Sequence, residues 1–260
     1  MPSALLHDHP AGGVLRLRIS NPDKRGALDH AILDGIAAAV SSSDARCIVI
    51  TGDGRHFSSG YDIGDIPQDV FAVEAEKLVA HPFTSALQAL DATDIPTICA
   101  INGHAIGGGL ELALACDLRV AAHELKFGMP PAKLGLVYSH NGLRRFIDAI
   151  GVPRTRELFL LGRYIETPEA LGWGLVNTAV PFAGLDAAAL DWATELAGNA
   201  PLSVSGNKQV IRALLAAEGD LDPATVQDLV ALREACFDSQ DIREGVRAFA
   251  DKRAPRWQGR

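Results

Sequence analysis

Two short segments constrain this chain more than any others: Phe57-Ser58-Ser59-Gly60-Tyr61-Asp62 and Ile101-Asn102-Gly103-His104-Ala105-Ile106-Gly107-Gly108-Gly109-Leu110-Glu111. Each follows an apolar, β-branched run that reads as a buried strand, residues 47–51 and 97–101. Each then passes into small residues, where backbone N–H groups can turn toward a ligand. The second opens a helix with a carboxylate, Glu111, in its first turn. One backbone donor from each loop could grip a single carbonyl oxygen as it becomes an oxyanion, which suits a reaction that passes through an enolate.

Around these segments the pattern alternates. Residues 15–19 read as a strand, 21–26 as a turn, and Asp29 caps a helix that runs to about residue 40. Residues 64–81 are richer in charge and read as a loop followed by a helix. Residues 83–90 and 109–116 are helical, with a strand at 118–122 between turns. This alternation points to an α/β unit with some parallel strands. Beyond Pro153 the strand signal fades and helical periodicity dominates at 154–161, 167–173, 184–198, 202–217, 223–236 and 241–252. The expected organisation is an α/β core over residues 1–195 and a helical region over 196–260. Phe237, Val246, Phe249 and Trp257 in that region suit packing on the chain's own core or on a neighbouring subunit.

Composition narrows the function. Hydrophobic residues at 48% and charged residues at 22% describe a globular protein with ample core. The formal net charge of -8 argues against non-specific nucleic-acid binding. Residues 1–10 are polar, with no apolar core for a signal peptide, and the charge-free stretch 95–110 is too short to span a bilayer. Cys47, Cys99, Cys116 and Cys236 are scattered and read as buried, reduced thiols, so a cytoplasmic location is expected. The eight histidines show no ligand spacing, so no metal is expected. Neither a Gly-x-Gly-x-x-Gly loop nor a Gly-x-Ser-x-Gly elbow is present.

Taken in order and spacing, several motifs resemble the crotonase (enoyl-CoA hydratase/isomerase) superfamily. They are the Pro22–Leu28 turn, the 57–63 loop, the 101–117 segment, Phe127-Gly128-Met129-Pro130, Leu134-Gly135-Leu136, Gly162-Arg163, Ala170-Leu171-Gly172-Trp173-Gly174-Leu175-Val176-Asn177, and residues 248–253. The resemblance covers almost the whole chain. It implies a β/β/α-spiral core with a helical C-terminal region, assembly as a homotrimer or dimer of trimers, and acyl-CoA thioesters as substrates, with no cofactor beyond the CoA moiety. It implies an oxyanion hole built from the backbone N–H groups of Tyr61 and Gly108, the latter at a helix N-terminus where the dipole assists. Lys24 and Arg25, with Ser59, Gly60, Asp62 and Ile63, are the positions implied to hold CoA.

The pattern departs from the family at one place. Family hydratases use two glutamates, and Glu111 matches the first. The second follows the proline of Phe-Gly-x-Pro, which here is Pro131, a residue with no titratable group. No Asp or Glu lies between Pro130 and Asn141. Instead Leu134-Gly135-Leu136-Val137-Tyr138 resembles the methylmalonyl-CoA decarboxylase branch, which implies that Tyr138 stands near a substrate carboxylate. Three readings follow. One is a hydratase/lyase using Glu111 as its single glutamate. Another is a decarboxylase of a 2-carboxyacyl-CoA, where a poorly solvating pocket expels CO2 into an oxyanion-hole-stabilised enolate. The third is a non-catalytic acyl-CoA-binding subunit. His140 is a candidate acid/base by residue type, and His104, in the strand-to-helix loop, reads as structural.

Overall fold

The computed structural model describes residues 3–62, 77, 79–217, 222–256 and 258. The chain opens with a hairpin, β1 (Ala4–Ala11) antiparallel to β2 (Val14–Ser20), and α1 (His30–Ser41) leads to β3 (Cys47–Gly52). Then come α2 (Thr84–Ala92), β4 (Thr97–Ile101), β5 (Ala105–Ile106), α3 (Gly108–Ala115), β6 (Leu118–Ala122) and β7 (Lys126–Gly128). A short α4 (Pro131–Leu134) and a long α5 (His140–Leu161) precede β8 (Tyr164–Glu166), α6 (Thr167–Gly172) and β9 (Thr178–Val180). Helices α7 (Leu185–Gly198), α8 (Pro201–Ala217), α9 (Pro223–Phe237) and α10 (Gln240–Ala250) follow.

The strands form two sheets. The larger has the order β1-β2-β3-β4-β6-β9, parallel from β2 onward, and the smaller has the order β5-β7-β8. Two consecutive turns of chain repeat one path: a strand in the large sheet, a strand in the small sheet, then a helix. β4, β5 and α3 make one such turn, and β6, β7 and α4 make the next. The turn before them shares the pattern, because Ser58, just after β3, bridges in parallel to Ala105 of β5. This is the spiral that the sequence resemblance implies.

Local chemistry accounts for the elements. All six residues of β3 and all five of β4 are buried, as central parallel strands covered on both faces must be. In α1 the Asp29 carboxylate accepts from the Ile32 N–H at 3.0 Å, and Ile32, Leu33, Ile36 and Val40 form the buried stripe. Burying each of these aliphatics is worth roughly 1.5–3 kcal/mol. Ser139 caps α5 through the Gly142 N–H at 3.1 Å, and α5 kinks at Gly151 (φ 73°, ψ 165°), two residues before Pro153.

The structure corrects the sequence reading in the strands. β1 has a mixed, partly exposed pattern that gives no clean alternation. β5, β7, β8 and β9 are two or three residues long, so periodicity has nothing to act on. β8 and β9 lie beyond Pro153, where the sequence reading finds a fading strand signal and helical periodicity. Ile63 and nearly all of the 64–81 segment fall outside the described residues.

One buried side chain fastens the strand ends from which both constraining loops depart. Asn102, just past β4, accepts from the Gly52 N–H at 3.0 Å and donates to the Gly52 and Gly54 carbonyls at 3.0 Å each. Asn102→Leu takes this partner from the Gly52 N–H and carbonyl in a buried setting, at a cost of about 1–3 kcal/mol. The expected result is a lower denaturant midpoint with an unchanged m-value. A loss under about 0.5 kcal/mol, the range of an inert surface change, would show that the three hydrogen bonds do not fasten the strand ends.

Candidate active site

The two loops meet. The 57–62 segment is stitched on both sides: Tyr61 bridges in parallel to Leu28, and Ser58 to Ala105. The Leu28 N–H donates to the Gly60 carbonyl at 2.8 Å, and the Asp62 N–H to the Leu28 carbonyl at 3.0 Å. Gly60 adopts φ +96°, and a β-carbon there would lie 2.9 Å from the Ile106 carbonyl oxygen and 3.3 Å from the Gly108 nitrogen. Only glycine lets the main chains approach so closely.

Gly108 is the first residue of α3, after Gly107 at φ 55° and ψ -127°. Its N–H has no hydrogen-bond acceptor among the described residues. The Tyr61 ring lies against Gly108, since a β-carbon on that glycine would sit 2.6 Å from Tyr61 Cε1. The structure thus brings Tyr61 and Gly108 together from positions far apart in sequence. An unused N–H at a helix N-terminus is suited to a developing negative charge.

Glu111, one turn into α3, is only 2% exposed. The Tyr138 hydroxyl donates to its Oε2, and Tyr61 Oη lies 3.4 Å from Tyr138 Oη. Gly142 makes room for this cluster: a β-carbon there would meet Tyr138 Cε1 at 2.5 Å and Glu111 Oε1 at 3.0 Å. Aromatic edges hold both tyrosines, Phe83 against Tyr61 at 4.7 Å and Phe159 against Tyr138 at 5.4 Å.

Electrostatics follow from burial. Desolvation raises the Glu111 pKa above its ordinary value of 4.5, while the Tyr138 hydrogen bond and the Arg145 charge pull it down. Arg145 gives little help, because its guanidinium grips Asp91 at 2.8 and 2.9 Å. Burial, and then the Glu111 charge, push the Tyr138 phenol well above its usual range, so it is neutral and a donor.

The remaining sequence candidates take defined places. Lys24 Nζ binds both Asp62 carboxylate oxygens, at 3.0 and 2.8 Å, and the Ser59 hydroxyl donates to the Lys24 carbonyl at 3.0 Å. Arg25 closes the turn in the left-handed region, φ 54°. Pro131 is the buried first residue of α4, and His140 opens α5 half-buried. His104 is structural: its Nδ1 accepts from the Lys126 N–H at 3.1 Å and its carbonyl from the Ser58 N–H at 3.2 Å. No cluster of His, Cys, Asp or Glu able to hold a metal occurs among the described residues, and no described helix is long and apolar enough to cross a membrane. The sequence marks Tyr61 only for its main-chain N–H. Its hydroxyl is an addition of the tertiary structure, as is the opening at Gly142.

The raised Glu111 pKa means that the folded chain binds this proton more tightly than the unfolded chain does. Unfolding free energy therefore falls as pH rises from the unfolded carboxylate value through the raised one, and stays lower above it. Glu111→Gln removes that loss. The stability difference, variant minus native, is expected to grow with pH across this window in denaturant titrations. A difference flat with pH would contradict the raised value.

Comparisons with known proteins show the family. The family model described as Enoyl-CoA hydratase/isomerase matches residues 10–260. The probable enoyl-CoA hydratase echA6 of Mycobacterium leprae is 34% identical over a 261-residue alignment covering 96% of this chain and 97% of that one. Carnitinyl-CoA dehydratase of Salmonella typhi is 32% identical, over 99% and 100% of the two chains. A solved structure of methylmalonyl-CoA decarboxylase in complex with 2-nitronate-propionyl-CoA superposes with a TM-score of 0.88 at 25% identity, over 99% of each chain. With a family match across nearly its full length, and a spiral α/β fold shared with solved members, this chain belongs to the enoyl-CoA hydratase/isomerase (crotonase) family.

Proposed function

We propose that the protein is an acyl-CoA hydratase/lyase that stabilises a thioester enolate between two backbone N–H groups, of Tyr61 and Gly108, and uses Glu111 as its single catalytic glutamate. The observation that carries this reading is one buried carboxylate, hydrogen-bonded by Tyr138, on the helix whose first residue presents the unused Gly108 N–H. In the hydration direction Glu111 takes a proton from water as the water oxygen bonds to the β-carbon, and electron density moves to the thioester oxygen. Two preorganised donors there are worth roughly 3 kcal/mol each. The proton return expected in such catalysis contributes about 10²–10⁴-fold.

A second reading, decarboxylation of a 2-carboxyacyl-CoA such as methylmalonyl-CoA, is favoured by Pro131 and Tyr138. A neutral phenol would hold a substrate carboxylate that a second glutamate would repel. The likeness to methylmalonyl-CoA decarboxylase supports it.

The CoA moiety is assigned to Lys24, Arg25, Ser59, Gly60 and Asp62, and to Ile63 by its place in the sequence, with no further cofactor. The Lys24–Asp62 pair lies along these residues. Its lysine is 39% exposed, so the pair is weak and open to exchange for a phosphate. A homotrimer or dimer of trimers is the proposed assembly, and Leu202, Val210, Ile211 and Leu214, exposed on α8, are surface that such an assembly would cover. Buried Cys47, Cys99 and Cys116, free of disulfides, support a cytoplasmic setting.

The test is a paired assay on one preparation, crotonyl-CoA hydration against methylmalonyl-CoA decarboxylation. Hydration that is lost in Glu111→Ala is the expected result. CO2 release without hydration would replace the first reading by the second. Acyl-CoA binding with no turnover of either would favour a non-catalytic binding subunit.

A further inference from the structure

The missing second glutamate leaves a chemical gap. After water adds, the enolate α-carbon must receive a proton, and between residues 130 and 141 no carboxylate stands in for Pro131. Deepening the thioester-enolate reading, on which it rests, we propose that the Tyr61 side chain fills this gap as the outer end of a proton relay, Glu111–Tyr138–Tyr61, that returns the proton to the α-carbon.

Position is the first argument. The Tyr61 ring lies directly over Gly108, with Cε1, Cδ1 and Cζ at 2.6, 3.0 and 3.0 Å from where a β-carbon would stand. The ring therefore packs directly on the residue whose N–H is the proposed oxyanion donor. The α-carbon is one bond from the thioester carbonyl carbon, so a group beside the oxyanion donors is beside the α-carbon too. Tyr61 also supplies one of the two proposed donors from its own main chain, so ring and hole move as one unit. The Phe83 ring packs edge-on at 88° and 4.7 Å, which limits the directions the phenol can take.

Connectivity is the second argument. The three groups form an unbroken line: Glu111 Oε2 to Tyr138 Oη, then Tyr138 Oη to Tyr61 Oη at 3.4 Å. Tyr138 and Tyr61 are both partly buried, while Glu111 is only 2% exposed, which puts Glu111 at the closed end of the line and the Tyr61 phenol at the end away from it. With Glu111 ionised, Tyr138 donates to the carboxylate and Tyr61 donates to Tyr138. Once Glu111 has taken a proton from water, both hydroxyls can rotate and the line runs the other way.

The step then balances. The Tyr61 O–H bond breaks as its proton bonds to the α-carbon, using the enolate electron pair. The Tyr138 proton moves to Tyr61 Oη, and the Glu111 carboxyl proton moves to Tyr138 Oη. Both phenols end neutral and Glu111 ends as the carboxylate that began the cycle. Removal of an α-proton runs the same transfers in reverse.

Tyr61→Phe removes only the hydroxyl and keeps the main-chain N–H, the Gly108 contact and the Phe83 edge. The experiment follows deuterium incorporation at the α-carbon of butyryl-CoA in D2O by NMR, beside calorimetric binding of butyryl-CoA and the melting temperature. The native protein is expected to bind and exchange. Tyr61→Phe is expected to bind and melt as the native protein does, with exchange slowed about 100-fold, within the usual span for a lost general acid/base. Tyr138→Phe should lose a similar factor, and the double variant should be no slower than either single one, because members of one relay are not additive. Exchange within tenfold of native in Tyr61→Phe overturns the relay, as does a double variant slowed by the product of the two single factors. Binding without exchange in the native protein overturns the relay and leaves the enolate reading to the paired assay. No binding of butyryl-CoA or crotonyl-CoA overturns both.

Discussion

Gly60 lies against the Ile106–Gly108 main chain, where a β-carbon would meet the Ile106 carbonyl oxygen at 2.9 Å, and the site exists because that contact is possible. Two loops from separate turns of the spiral have to bring backbone within van der Waals distance of backbone. A side chain at Gly60 would push them apart, and the large-sheet strands alone would not restore the spacing. The contact is fixed on all sides. Parallel bridges at Leu28–Tyr61 and Ser58–Ala105 hold the first loop, and Asn102 ties the ends of β3 and β4 behind it. α3, buried along all eight residues, cannot slide. Preorganisation of this kind means that donors need not be rearranged as charge develops.

Burying a carboxylate in that helix is costly unless it is hydrogen-bonded or protonated. Tyr138 provides the hydrogen bond, and desolvation favours the proton. The nearby cation does not neutralise Glu111, because Arg145 is already engaged by Asp91. Asp91 is shared in turn: its main-chain carbonyl accepts from Arg212 at 2.7 Å, and Arg212 also pairs with Asp94. Lys208 on the same helix pairs with Asp117, just past α3, at 2.7 Å. α8 is thereby linked through polar contacts to the elements that carry Glu111 and Arg145. At the other side of the site, α10 packs on the turn before Tyr138: β-carbons on Gly135 and Gly245 would lie 2.9 Å from the Asp241 carbonyl and 2.4 Å from the Leu134 carbonyl. The C-terminal helices therefore support the site within one chain.

Much of this was legible in the residues. Buried strands β3 and β4 announce themselves by apolar, β-branched runs, and α1 by Asp29 and its stripe. The glycine-rich loops and Glu111 are local patterns, so their chemistry could be anticipated. The short strands of the second sheet could not, because two or three residues carry no period and their pairing is decided by what lies beside them. The absence of a carboxylate at Pro131 was equally plain, and so was the question it raises.

Sequence by itself determined the class of fold, the long buried strands and most of the helices, the two loops with main-chain donors, and a lone acidic residue at the start of a helix. Those are properties of neighbours along the chain, governed by propensity, patterning and capping. Only the tertiary structure decided that the Tyr61 hydroxyl meets Tyr138 across a separation of 77 residues, that Tyr138 meets Glu111, that Lys24 is held by Asp62, and that Arg145 is spent on Asp91. Such contacts depend on where packed helices and strands place atoms in space. That placement is set by the whole core at once, and no local window of sequence contains it.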